Sequence, residues 1–194
     1  LYAGRRLVTR ILPATSAAQT IAFWANISTT AGTQNMVALN AAGASIQVGI
    51  RDYGGGPMLT AWGQGGVNYV AVTPPSTGAW HHIAYVYDGA GGQTMYIDGV
   101  SAGTATATTQ SGTVTSAYLG TYAPPNSELY SGSLDDVRIY NAALTSTQIA
   151  ALAAGRYANT GGAATVSLGA NTTVTGQLEV DSGTLSGNGK TMSA

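Results

Sequence analysis

The chain reads as an all-β protein: an antiparallel two-sheet jelly-roll sandwich with one short C-terminal helix, followed by a β-solenoid-like or disordered tail. Three observations carry this reading. Apolar residues recur at every second position in many short segments, turn residues rich in glycine and proline separate those segments, and a single stretch shows helical spacing. Many short strands joined in this way bury their faces as a sandwich.

The alternation is clearest at residues 20–27 (TIAFWANI), where Ile21, Phe23, Ala25 and Ile27 line one face and Ala22, Trp24 and Asn26 the other. Both faces are occupied, which predicts a strand covered on each side. The same signal recurs at 45–50, 67–72, 81–87, 93–97, 117–120 and 134–140. The turns between them include Gly54-Gly55-Gly56-Pro57, Pro74-Pro75, Gly91-Gly92 and Asp98-Gly99. Over residues 143–152, Thr145 and Gln148 stand at capping-box spacing while Leu144, Ile149 and Leu152 form an apolar stripe, predicting a helix closed by Gly155.

After Tyr157 the texture changes to ATVSLGANTTVTGQLEVDSGTLSGNGKTM, in which isolated Val and Leu sit among Thr, Ser, Gly and Asn. The division expected is a sandwich domain over 1–157 and a Gly/Thr-rich tail over 158–194. That tail reads either as the first rungs of a stacked β-solenoid or as a disordered linker.

Composition narrows the function. At 194 residues and 44% hydrophobic content the chain can bury a core without staples. Only 8% of residues are charged and Lys190 is the single lysine, so no basic field exists to displace counterions from phosphates, and nucleic acid is excluded as a partner. The absence of cysteine excludes disulfides, thiolate nucleophiles and Cys-ligated zinc. No apolar run approaches the roughly 18 residues that span a bilayer, so membrane insertion is not expected. A start at Leu1 without a signal sequence reads as a piece of a larger multidomain chain, secreted or on the cell surface.

Three segments resemble a known family: 19–27 (QTIAFWANI), 80–100 (WHHIAYVYDGAGGQTMYIDGV) and 131–152 (SGSLDDVRIYNAALTSTQIAAL). Together they are similar to laminin-G-like, concanavalin A-like lectin/glucanase jelly-roll domains of bacterial surface or carbohydrate-active proteins. The resemblance covers residues 1–155 and implies two antiparallel sheets of about six or seven strands, one convex and one concave.

Glycoside hydrolases share this architecture and need two carboxylates flanking the scissile bond. Here Glu128 and Glu179 lie in unlike regions, and adjacent Asp135 and Asp136 would point to opposite faces. No catalytic residue is therefore assigned, and a hydrolase is the weakest of three readings. Asp135 shares its register with Val137 and Ile139, which draws its carboxylate towards an apolar environment. It is then satisfied by hydrogen bonds or by a cation. The resemblance implies a structural calcium with Asp135 as ligand. His82, in register with Ala84 and Val86, reads as a structural histidine.

Carbohydrate sites combine an aromatic platform with Asn, Asp, Gln and backbone groups that bond hydroxyls. Two loop clusters have this content. One holds Arg51, Asp52, Tyr53, Trp62, Gln64, Asn68 and Tyr69; the other holds Tyr122, Asn126, Glu128 and Tyr130, stiffened by Pro124-Pro125. The ligand-binding candidates are Tyr53, Trp62, Gln64, Tyr69, Tyr122, Asn126 and Tyr130, with Trp62 and Tyr122 as the exposed rings. The reading is a noncatalytic module for a polysaccharide or glycan, against the alternative of a structural or adhesive spacer that binds protein partners.

Overall fold

A computed structural model describes residues 12–52, 54–63, 68–107, 111–122 and 128–155. The chain divides into two units, 1–153 and 154–194. The expected tail of rungs or linker lies outside the described residues.

The first unit is a pair of antiparallel five-stranded sheets. The strands are β1 (Gln19–Ile27), β2 (Gln34–Ala41), β3 (Ala44–Asp52), β4 (Pro57–Trp62), β5 (Asn68–Val72), β6 (Trp80–Tyr87), β7 (Gly92–Ile97), β8 (Val100–Thr106), β9 (Val114–Leu119) and β10 (Gly132–Tyr140), followed by helix α1 (Ser146–Gly155). One sheet runs β10-β1-β6-β7-β8 and the other β5-β4-β3-β2-β9. The jelly-roll sandwich with one helix is thus as the alternation predicts, with five described strands in each sheet where the resemblance implies six or seven. Three strands were not foreseen. β2 carries a register shift between Asn35 and Val37 that breaks its alternation, β4 hides behind a glycine run, and β8 (VSAGTAT) has small, exposed side chains.

Alternation decides what each face of β1 meets. Ile21, Phe23, Ala25 and Ile27 are fully buried between the sheets with Leu39, Ile46, Val48, Ile50, Leu59, Ile83, Tyr85 and Met95. Ala22 on the opposite face joins a second cluster with Ala84, Val86, Tyr96 and Ile149 of α1, against which Leu144 and Leu152 pack. Both faces of β1 are covered, as its sequence predicts. The helix is capped as expected: Gln148 N donates to Thr145 Oγ1 (3.3 Å) and Thr145 N to Gln148 Oε1 (2.9 Å). Thr20 Oγ1 fastens the approach to the helix, donating to Ala142 O (2.8 Å) and accepting from Leu144 N (3.0 Å). At the β7–β8 turn Asp98 and Gly99 both take positive φ (52° and 82°), the pair of left-handed residues that a tight two-residue hairpin needs.

Candidate functional site

With Ile46, Val48 and Ile50 of β3 turned into the core, Ser45, Gln47, Gly49 and Arg51 face outwards from the second sheet. Register then aligns Asn35 of β2, Gly49 and Thr60 of β4 in one row, and Tyr118 of β9, Ala38, Gln47 and Trp62 in the next. This outer face is polar yet interior: Asn35 and Thr60 have no exposed surface, Gln47 retains 4% and Trp62 2%.

A hydrogen-bonded chain runs across it. Asn35 Nδ2 donates to Gln47 Oε1 (3.1 Å) and, closely, to Glu128 Oε2, while Gln47 Nε2 donates to Ser45 Oγ (2.9 Å). Glu128 is seated by its left-handed backbone (φ 55°) and by its carbonyl, which accepts from Asn35 N (2.8 Å). Asn35 Oδ1, Thr60 Oγ1 and Asn40 Oδ1 are buried with no hydrogen-bond partner among the described residues. A buried polar atom left so costs about 1–3 kcal/mol.

The structure redistributes the residues singled out by sequence. Trp62 is not an exposed loop ring. It ends β4 and is buried, with the Arg51 guanidinium 5.0 Å from its ring centroid. Tyr69 is likewise interior, packed in the main core with 3% exposure, its hydroxyl 3.5 Å from Ser45 O. That hydroxyl fills the space a Cβ at Gly63 would need. Tyr130 is half-buried, and its hydroxyl donates to Asn26 O (2.9 Å) as a strut between the loop and β1; burial pushes its pKa up to about 12. Tyr122 is half-buried beside Asn40, whose Nδ2 donates to Tyr122 O (3.1 Å). Tyr53, Gln64 and Asn126 lie outside the described residues, as does the side chain of Asn68.

Sequence reasoning missed Asn35, Asn40, Gln47, Thr60 and Tyr118. The alternation of β2 and β9 about Leu39 and Val114 was the available signal, but it is interrupted by irregular register in both pairings.

The apolar environment expected for Asp135 is not found, for a physical reason. β10 carries a bulge where β1 passes from Ala22 to Trp24, and Asp136 there is left-handed (φ 49°). The extra residue reverses the alternation, so Leu134 packs against the core and Asp135 opposes Trp24, exposed. Asp135 Oδ1 accepts Asp136 N (2.8 Å), and the Asp136 carboxylate is held by both Nε and Nη2 of Arg138 (2.8 and 2.7 Å). Among the described residues no group of three or more His, Cys, Asp or Glu side chains could hold a metal ion. Other carboxylates serve turns: Asp52 Oδ1 accepts Gly54 N and Gly56 N, and Asp88 Oδ1 accepts Ala90 N and Gly92 N.

His82 is buried on the outer face of the first sheet, its ring edge-on to Trp24 at 5.5 Å, with Nδ1 unpartnered among the described residues. Desolvation lowers its pKa below 6.5; Asp98 and Asp136 pull it up and Arg138 reinforces the fall. The unfolded chain therefore binds the proton more readily, and stability should fall as pH is lowered from 6.5 through the depressed folded value, levelling off below it. Urea unfolding at stepped pH should show this slope in the wild type and lose it in His82→Phe. An equal slope in both would place the proton uptake elsewhere.

Two stacked antiparallel sheets with a helix docked on one of them define a concanavalin A-like jelly roll. The chain belongs to the Concanavalin A-like lectin/glucanases superfamily, Laminin_G_3, whose pattern matches residues 6–150. No curated protein matches it in sequence.

Similar solved structures include domain 4 of AbnA, a GH43 extracellular arabinanase from Geobacillus stearothermophilus, in complex with arabinotriose (20% identity, 73% of this chain and 68% of that one, TM-score 0.60). Another is the heptameric SAP-like pentraxin of Limulus polyphemus (18% identity, 77% and 78%, TM-score 0.57). A third is the Ruminococcus gnavus IT-sialidase CBM40 bound to α2,3 sialyllactose (16% identity, 71% and 83%, TM-score 0.55). At these identities the likeness is one of fold. Among the described residues no helix is long and apolar enough to cross a membrane.

Proposed function

We propose that this chain is a noncatalytic glycan-binding module of a secreted or cell-surface protein, and that it engages its ligand at the β9 edge of the second sheet. The observation that carries the reading is the grouping there of half-buried aromatic and carboxamide side chains. Tyr118 faces out from β9 opposite Ala38, Asn40 lies two residues along β2, and Tyr122 is fastened to Asn40. Aromatic faces stack on pyranose rings and carboxamides bond hydroxyls. The Asn35–Gln47–Ser45 chain beneath holds the neighbouring face rigid, and Asn35 Oδ1 and Thr60 Oγ1, without a hydrogen-bond partner among the described residues, are buried acceptors that an ordered water would complete. Neighbours of the same fold that were solved with arabinotriose and with sialyllactose support a saccharide ligand.

The test is retention on a glycan array and on insoluble polysaccharides. Tyr122→Ala should weaken retention about tenfold, the equivalent of about 1.4 kcal/mol, without lowering the melting temperature. Trp62→Ala should instead lower the melting temperature, because that ring is interior. A blank array would favour the adhesive spacer. That second reading rests on Leu119 (55% exposed) and Leu129 (59% exposed), which flank the Gly120–Tyr130 backbone contact.

A further inference from the structure

Away from the glycan face, the β5–β6 loop, the start of β6 and the β7–β8 turn bring together three side chains of complementary chemistry. Ser76 Oγ lies 2.9 Å from His81 Nε2, and His81 Nδ1 lies 2.7 Å from Asp98 Oδ2. The other carboxylate oxygen of Asp98 accepts the backbone N–H of His82 (2.9 Å), which fixes the orientation of the acid. An ionised carboxylate only accepts hydrogen bonds, so the proton sits on His81 Nδ1 and leaves Nε2 free to accept from the Ser76 hydroxyl. This is the order of nucleophile, base and orienting acid that activates serine in acyl transfer.

The local fold holds the three in place. Pro74 and Pro75 restrict the backbone just before Ser76, and the loop is pinned to the end of β1 by Gly78 N donating to Ile27 O (2.9 Å) and by Asn26 Nδ2 donating to Gly78 O (3.4 Å). Asp98 owes its position to the left-handed turn of the β7–β8 hairpin. Ser76 is exposed, whereas the His81 side chain keeps only 17% of its surface, so the nucleophile is open to reagents while its base is sheltered.

We infer that Ser76 is a base-activated nucleophile that accepts acyl groups from reactive esters. Ser76 Oγ bonds to the ester carbonyl carbon as its proton passes to His81 Nε2. The bond from that carbon to the leaving oxygen then breaks, and the proton is returned from Nε2 to the departing alcohol or phenol. The product is an O-acylated Ser76 and one released alcohol. The inference concerns this stoichiometric acylation and not turnover.

The experiment exposes the full chain to p-nitrophenyl acetate and maps acetylated residues over time by peptide mass spectrometry. Ser76 should acetylate faster than exposed serines such as Ser101 and Ser131. His81→Asn, whose side-chain amide nitrogen stands where Nδ1 does and so retains a donor for Asp98, should slow it about a hundredfold, the usual scale of a positioned base. Asp98→Asn, which frees the imidazole to take the other tautomer, should slow it at least about tenfold. Ser76→Ala should remove the label at this position while keeping the wild-type melting temperature. Acetylation of Ser76 no faster than of Ser101 and Ser131, or at an unchanged rate in a folded His81→Asn, would overturn the inference and leave the three residues as a brace between loop and hairpin.

Discussion

Gly49→Ala should destabilise the protein by about 3 kcal/mol or more, the upper part of the range for forcing atoms into a packed interior. Gly49 sits mid-way along β3, between Asn35 and Thr60. A Cβ there would penetrate the carbonyl oxygen of Gln34 and approach Asn35 Cα to 3.1 Å. Those are backbone atoms of a neighbouring strand at its bulge, so no side-chain rotation relieves the clash. The same shift would displace Asn35 from Glu128 and Gln47, coupling the fold to the polar face. Urea midpoints at constant m-value measure the loss. A loss below about 1 kcal/mol would mean that the β2 bulge yields, since small adjustments in a core are tolerated on that scale. Gly120→Ala is the comparison: among the described residues nothing lies within 4 Å of its Cβ, and the positive φ (73°) is what opposes the substitution.

The same bulges explain what could be read from the sequence and what could not. Where alternation is unbroken, the residues themselves declare the structure. β1 shows both of its covered faces in TIAFWANI, β6 follows HHIAYVY, and the Thr145/Gln148 pair announces the helix start that the hydrogen bonds realise. One inserted residue defeats this logic, because the side-chain period of a strand is two and a slip exchanges its faces. At Asp136 the slip turned Asp135 outwards and drew Leu134 in; at Met36 it concealed Asn35. Trp62 misled for a different reason. A tryptophan after Gly54-Gly55-Gly56-Pro57 has the local look of a loop, and only the pairing of β4 with β3 and β5 reveals that it is strand and buried.

The Ser76, His81 and Asp98 grouping was invisible for a third reason. Its members are five and seventeen residues apart, and only the β6–β7 pairing and the β7–β8 turn carry Asp98 back to the start of β6. The edge proposed for glycans is similar, since Asn40 and Tyr122 are separated by 82 positions and meet through the β2–β9 ladder. Both clusters depend on long-range register, which composition does not encode.

Ile149→Ala is the second large effect, expected at about 3 kcal/mol from the usual range for truncating a fully buried aliphatic side chain. Ile149 is the one fully buried residue of α1, and it closes a cluster with Ala22, Ala84, Val86 and Tyr96 on the side of the first sheet away from the main core. The strand residues beneath Ile149 include Ala22 and Ala84, which are too short to extend into the space left, so much of the cavity term should be retained. Leu152→Ala, at a partly buried position of the same helix, should cost less. Because Ala22 and Ala84 lie on β1 and β6, whose other faces form the main core, losing the helix contact should lower the single cooperative transition and not produce a separate early one. Thermal unfolding followed by both far-ultraviolet and tryptophan signals distinguishes the two. Coincident, lowered transitions would show that α1 is an integral layer of the domain, whereas an early helical loss with an unchanged tryptophan transition would show that the sandwich stands without it.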